Sequence, residues 1–208
     1  MALLTAAQAR EIGFPELSGT GLDSTLESWI ARATEALARW CWYPTPSSGA
    51  RATLESASYV LRLQGYDDKP RHLQTHWSHG RLTAVASIYD DPAYDWGSDT
   101  LVNSGDYSIL QPEGVVLLAS TAAHGAWGQS AESVKVACTA GWTSLTVPYD
   151  VQEAIGLLCK HYARLKTEQG HGATSSGGGS VSSQGEGMPD QVAEIMAPYR
   201  MLGRGVPL

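Results

Sequence analysis

Phenylalanine is almost missing from this chain: there is one Phe in 208 residues, against seven Trp and nine Tyr. Nearly all the aromatic surface therefore carries an indole N–H or a phenol, which suits partly wet contacts better than a purely oily core. Grouped positive charge is missing too. Residues 1–50 hold three Arg against five acids, residues 51–150 six bases against eleven acids, and residues 151–208 five of each. Phosphate-driven binding of nucleic acid needs clustered Lys and Arg. A chain of net charge −7 is not expected to grip DNA, although such a surface lets DNA pass without adhering. No apolar run approaches the ~20 residues a bilayer requires, so no membrane partner is expected. The N-terminus has no basic region followed by an apolar one, so no secretory signal is expected and synthesis in a cytosol is. Cysteine is sparse. Cys41, Cys138 and Cys159 are odd in number, widely spaced and each set in an apolar pattern, which reads as small buried hydrophobes in a reducing compartment.

Signatures of catalysis are equally thin. Gly19-Thr-Gly21 and Gly177-Gly-Gly179 lack the preceding strand, the following helix and the Lys-Ser/Thr of a phosphate loop. There is no Gly-x-Ser-x-Gly elbow. His72, His76 and His79 have a spacing that zinc could use on a helix, with Asp67, Asp68 or Asp91 as a carboxylate. The stretch Leu73–Gly80 shows no helical stripe, so solvated loop histidines are the competing reading. Asp90, Asp91, Asp95 and Asp99 do not have the spacing of a calcium loop and read as a solvated turn. No catalytic residue, cofactor or metal is assigned.

What is present is a sequence of clear elements. Thr5-Ala-Ala-Gln8 is a capping box that opens a short helix, with Gly13 at its end. A long helix is expected over about 23–42. Leu22, Leu26, Trp29, Ile30, Ala33, Leu37, Trp40 and Cys41 form its apolar stripe. Pro44 and Pro46 stop it. From 50 to 145 the period changes to two, with strands expected at 51–55, 59–64, 82–89, 100–102, 107–110, 115–119 and 134–139. A small antiparallel sheet or barrel follows from that spacing. Gly141 closes the last strand. Pro148 sits where a first helical turn accepts proline, and Val151, Ala154, Ile155, Leu158, Cys159, Tyr162 and Leu165 form the stripe of a second long helix. Residues 169–187 are Gly/Ser-rich and expected to be a flexible linker. After it comes a short helical pattern with Val192, Ile195 and Met196 on one face, then Pro198-Tyr199-Arg200-Met201-Leu202. An apolar anchor on a tether docks either on its own domain or on a partner.

The fold class that results is α+β. It is a small helical bundle with an inserted antiparallel β lobe, a flexible Gly/Ser linker and a C-terminal helical arm. The expected divisions are 1–49 for the N-terminal helices, 50–147 for the lobe, 148–168 for the long helix, 169–187 for the linker and 188–208 for the arm.

This order of parts resembles the head–tail connector (adaptor) proteins of long-tailed bacteriophages. The pieces that carry the resemblance are Leu82-Thr-Ala-Val-Ala-Ser-Ile-Tyr-Asp-Asp-Pro92, Tyr107-Ser-Ile-Leu110 with Gly114-Val-Val-Leu117, and Val134-Lys-Val136 followed by Thr139-Ala-Gly-Trp142. Val147-Pro-Tyr-Asp-Val-Gln-Glu-Ala154 and Ala197-Pro-Tyr-Arg200 complete the set. The resemblance implies a structural virion protein, assembled in the host cytoplasm and located in the neck. It implies a self-assembled ring of about twelve copies beneath the portal, joined on the other side to a tail-side neck protein (stopper or tail terminator). Genomic DNA would pass through the channel without sequence-specific binding. The implied portal-binding arm comprises Val192, Ile195, Met196, Pro198, Tyr199, Arg200 and Leu202. Two other readings stay open at this point: a metal-dependent enzyme using His72, His76 and His79, and a monomeric binding module whose C-terminal helix folds back on itself.

Overall fold

The computed structural model describes residues 2–15, 19–49, 51–75, 82–111, 113–123, 125–170 and 188–201, with residues 167–170 described by backbone alone. Among the described residues there are four α-helices and two three-stranded antiparallel sheets, an α+β fold without a closed barrel. The chain divides into two compact units: Met1–Leu37 with Ser144–Pro198, and Ala38–Thr143 with Tyr199–Leu208.

The first unit is helical. It contains α1 (Ala6–Gly13), most of α2 (Asp23–Trp40), α3 (Tyr149–Gly170) and α4 (Asp190–Met196). The expected capping box starts α1: the Thr5 N–H donates to Gln8 Oε1 at 2.9 Å, and the Gln8 N–H donates to Thr5 Oγ1 at 3.2 Å. Two helix-start donors that would otherwise face only water are thereby satisfied. In α2 the buried stripe is Leu26, Ile30, Ala33 and Leu37. Leu22, expected on that stripe, lies one position before the helix and is exposed. Val151, Ala154, Ile155, Leu158 and Cys159 supply the buried face of α3. The helix begins at Tyr149, and the Pro148 carbonyl accepts from the Gln152 N–H at 3.1 Å, so proline stands just outside the first turn.

Helices α1 and α3 approach very closely. A Cβ placed on Gly156 would lie 2.6 Å from Ile12 Cγ2, and one on Gly13 would lie 2.9 Å from the Gly156 carbonyl oxygen. The space that two side chains would fill is taken by backbone and by Ile12. Phe14 and Trp29 stack at 6.1 Å between ring centroids, and the Arg32 guanidinium lies 4.4 Å over the Tyr162 ring. Arg10 and Asp23 form an ion pair that ties α1 to the start of α2.

The second unit is the β lobe. One sheet has the order β1 (Ala57–Leu63), β6 (Val134–Ala140), β3 (Leu82–Asp90); the other has β2 (His72–Gln74), β5 (Val115–Leu118), β4 (Tyr107–Leu110). The alternation in β6 is as expected from its sequence: Val134, Val136, Cys138 and Ala140 are buried, while Lys135, Ala137 and Thr139 are half-buried. In the β1–β6 ladder Val60 faces Ala137 and Leu61 faces Val136. The β3–β6 ladder carries two register shifts, between Leu82 and Ala84 and between Val85 and Ser87. Such irregularities bend a strand and raise its twist.

Several sequence expectations are corrected here. The single sheet is two sheets. The strands expected at 51–55 and 100–102 shrink to isolated bridges, Glu55 with Trp142 and Leu101 with Tyr89. Strand β2 lies where the sequence suggests solvated loop histidines; three residues are too few to display a period. Gly141 ends β6 with φ of +106°, and a Cβ there would collide with the Glu55 carbonyl. Only glycine fits both constraints.

Candidate functional site

The residues that looked chemical in the sequence do not converge. His72 lies in β2 opposite Leu117 and is half-buried; His76 and His79 fall outside the described residues. Among the described residues no group of three His, Cys, Asp or Glu side chains could hold a metal. No described helix is long and apolar enough to cross a membrane. The three cysteines are buried and form no disulfide. Burial pushes the Cys138 and Cys159 thiols up to about 12, and Tyr59 goes to about 12 through burial and its proximity to Cys138. None of these groups is a poised nucleophile at neutral pH.

Asp91 departs from the solvated turn expected of it. It is buried, and its carboxylate accepts the N–H groups of Ala93, Asp95 and Trp96, each at 2.8 Å. Desolvation pulls its pKa upward, but backbone N–H bonds from Trp96, Ala93, Asp95 and Tyr94 outweigh it and hold the carboxyl below its ordinary value. Asp90 accepts from the Gly128 N–H at 2.9 Å. These acids organise loops. Lys135 Nζ lies 4.5 Å from the Tyr89 ring centroid and 5.0 Å from that of Trp96.

The C-terminal arm is where the sequence-predicted site residues gather. Helix α4 packs on α3, with Val192 and Met196 buried and Ile195 half-buried. Pro198 is exposed, and at Tyr199 the chain enters the second unit. There Tyr199 is buried, its ring edge-on to Trp142 at 5.5 Å, and its carbonyl accepts from Tyr43 Oη at 3.0 Å. The Met201 N–H donates to the Cys41 carbonyl at 2.9 Å. Arg200 is exposed, with its guanidinium 5.0 Å from the Trp40 ring centroid and 5.8 Å from that of Trp42. Leu202 lies outside the described residues. The seat that Trp40, Trp42, Tyr43 and Trp142 provide for residues 199–201 has no signature of its own in the sequence. The one signal for it was the surplus of Trp and Tyr, which names no positions.

Two large apolar side chains stand almost fully in solvent near the start of α3: Leu145 is 94% exposed and Tyr149 89%. Apolar groups displayed singly are ordinary, but two this bare, four residues apart in sequence, are available for contact with another surface.

No family model and no curated protein sequence matches the chain. Solved structures do match it in fold. A chain from the neck of an empty gene transfer agent particle, in a structure computed with C6 symmetry, superposes with a TM-score of 0.56 at 17% identity, covering 99% of this chain and 94% of that one. The fold is that of a particle-neck chain. A second chain, from the virion of a native gene transfer agent particle, gives a TM-score of 0.52 at 18% identity over 97% of this chain and 91% of that one. The likeness extends over nearly the whole of this sequence.

Proposed function

We propose that the chain is a structural protein of the neck of a phage-like particle: an adaptor that forms a ring beneath the portal, joins the DNA-filled head to the tail-side neck protein and extends the DNA channel. The observation that carries this reading is the likeness to a chain from a particle neck over 99% of the sequence. The C6 symmetry of that neck supports a closed ring of identical subunits, and a ring of about twelve copies fits the same closure. The chemistry agrees with a structural role rather than a catalytic one, because the Cys138 and Cys159 thiols are buried and protonated and Asp90 and Asp91 hold loops together. A conduit must let DNA slide, and a net charge of −7 without a basic cluster favours that. Leu145 and Tyr149 are suited to contact between subunits.

In this reading residues 188–208 are the portal-docking arm, with Val192, Ile195, Met196, Pro198, Tyr199, Arg200 and Leu202 as its contact set. Purified portal rings should capture the full chain and should not capture a chain truncated after residue 187 that keeps its sheet signal in circular dichroism. Equal capture of the truncated chain would overturn the arm assignment. Failure of the full chain to bind would overturn the neck reading. A second reading has a specific observation behind it: Val192, Met196 and Tyr199 are buried on their own chain, as in a monomeric module with a folded-back arm. It predicts no capture at all and lasting hydrogen-exchange protection of α4.

A further inference from the structure

Helix α2 ends in a Schellman arrangement: the Tyr43 N–H donates to the Ala38 carbonyl and the Trp42 N–H to the Arg39 carbonyl, both at 3.0 Å. That arrangement puts Trp42 in the left-handed region, with φ of +63°. The position is one that glycine fills without strain, and an L side chain there costs about 1 kcal/mol or more. Trp42 is also 56% exposed, so burial of its ring offsets little of that cost. Among the described residues the indole does have a specific neighbour. Arg200 lies against both Trp40 and Trp42, and on either side of it Tyr199 and Met201 are hydrogen-bonded to Tyr43 and Cys41. A bulky aromatic residue at a glycine position, next to a guanidinium from the far end of the chain, is a strained placement with a use.

The geometry points to a latch: Trp42 and Trp40 hold Arg200 and so reinforce the seat that Tyr43, Cys41 and Trp142 give to residues 199 and 201 on the second unit of the free chain, and the contact opens when residues 199–201 engage another surface. The holding step stands on the contacts alone. The opening step rests on the neck reading, in which the same arm residues meet the portal. An exposed cation–aromatic contact is weak, worth a factor of about three in the closed-to-open ratio, which is what a reversible latch needs. Binding through an arm that is mostly latched is weakened by the fraction unlatched.

The test substitutes the lobe side and leaves the arm intact. In the full-length chain, Trp42→Ala removes the ring, and Trp42→Gly removes it while also relieving the left-handed strain. Both should raise the hydrogen-exchange rate of the Met201 amide about threefold. Trp42→Gly should do so with no loss of overall stability, which separates unlatching from partial unfolding. Both should also tighten binding to purified portal rings by the same factor. An unchanged Met201 amide in Trp42→Gly would overturn the latch. Faster exchange with unchanged or weaker portal binding would overturn the opening step. If neither the parent nor the variants bind portal rings, the neck reading fails, and the exchange result still decides whether the latch exists.

Discussion

The helical unit and the β lobe are held together in different ways. In the helical unit, cohesion comes from long apolar stripes, and its closest approach is where the bare Cα of Gly156 in α3 admits the Ile12 side chain of α1. In the lobe the ladders join residues far apart in sequence, β1 at 57–63 with β6 at 134–140. The loops between them are fixed by single side chains: Asp91 through three backbone N–H bonds, and Trp127, which is 1% exposed and donates its indole N–H to the Arg71 carbonyl at 3.0 Å. A face made of many small contributions tolerates the loss of one of them. A loop tied by one residue does not. The lobe is therefore expected to be sensitive to deletion of a side chain, and the helical unit to addition of one.

Trp127→Ala should have the largest effect, about 4 kcal/mol, because it opens a cavity and leaves the Arg71 carbonyl without its indole donor. Chemical denaturation monitored by amide exchange should show lobe protection lost while α3 amides stay protected. Simultaneous loss in both units would break the contrast. Next is Gly156→Val, expected to cost about 2 kcal/mol by forcing α1 away from α3; denaturation midpoints check it, and a near-neutral result would mean that the close approach is not what holds the helices. The smallest is Thr5→Ala, about 1 kcal/mol from loss of the cap, seen as faster exchange in α1 alone. A larger or lobe-wide change would show that α1 is more central than its exposed capping box suggests.

The same contrast explains what could be read from the sequence. The stripes of α2 and α3 and the Thr5–Gln8 capping box were legible because helical packing is periodic and local. So were β1, β3, β4 and β6, whose alternation runs for four residues or more, and β5, a short apolar run bounded by turn residues. Strand β2 was not, since His72–Gln74 is too short to alternate. Residues 51–55 alternate but contribute only the bridge at Glu55, because Gly141 brings Trp142 alongside them at that point alone. Trp127 and Asp91 stand in turns, and the sequence of a turn does not reveal whether it is folded inward. The arm was legible as an anchor. Its seat was not, because Trp40, Trp42, Tyr43 and Trp142 come from two distant segments that only the fold brings together.

The three buried thiols carry a consequence beyond packing. With Cys138 and Cys159 protonated up to about 12 and all three sulfurs closed off from solvent, the folded chain offers almost no thiolate to oxidants or to other disulfides. A fold that shuts its thiols away in this fashion keeps the same covalent structure in reducing and in oxidising surroundings alike. It has no cross-link to form in the one and none to lose in the other.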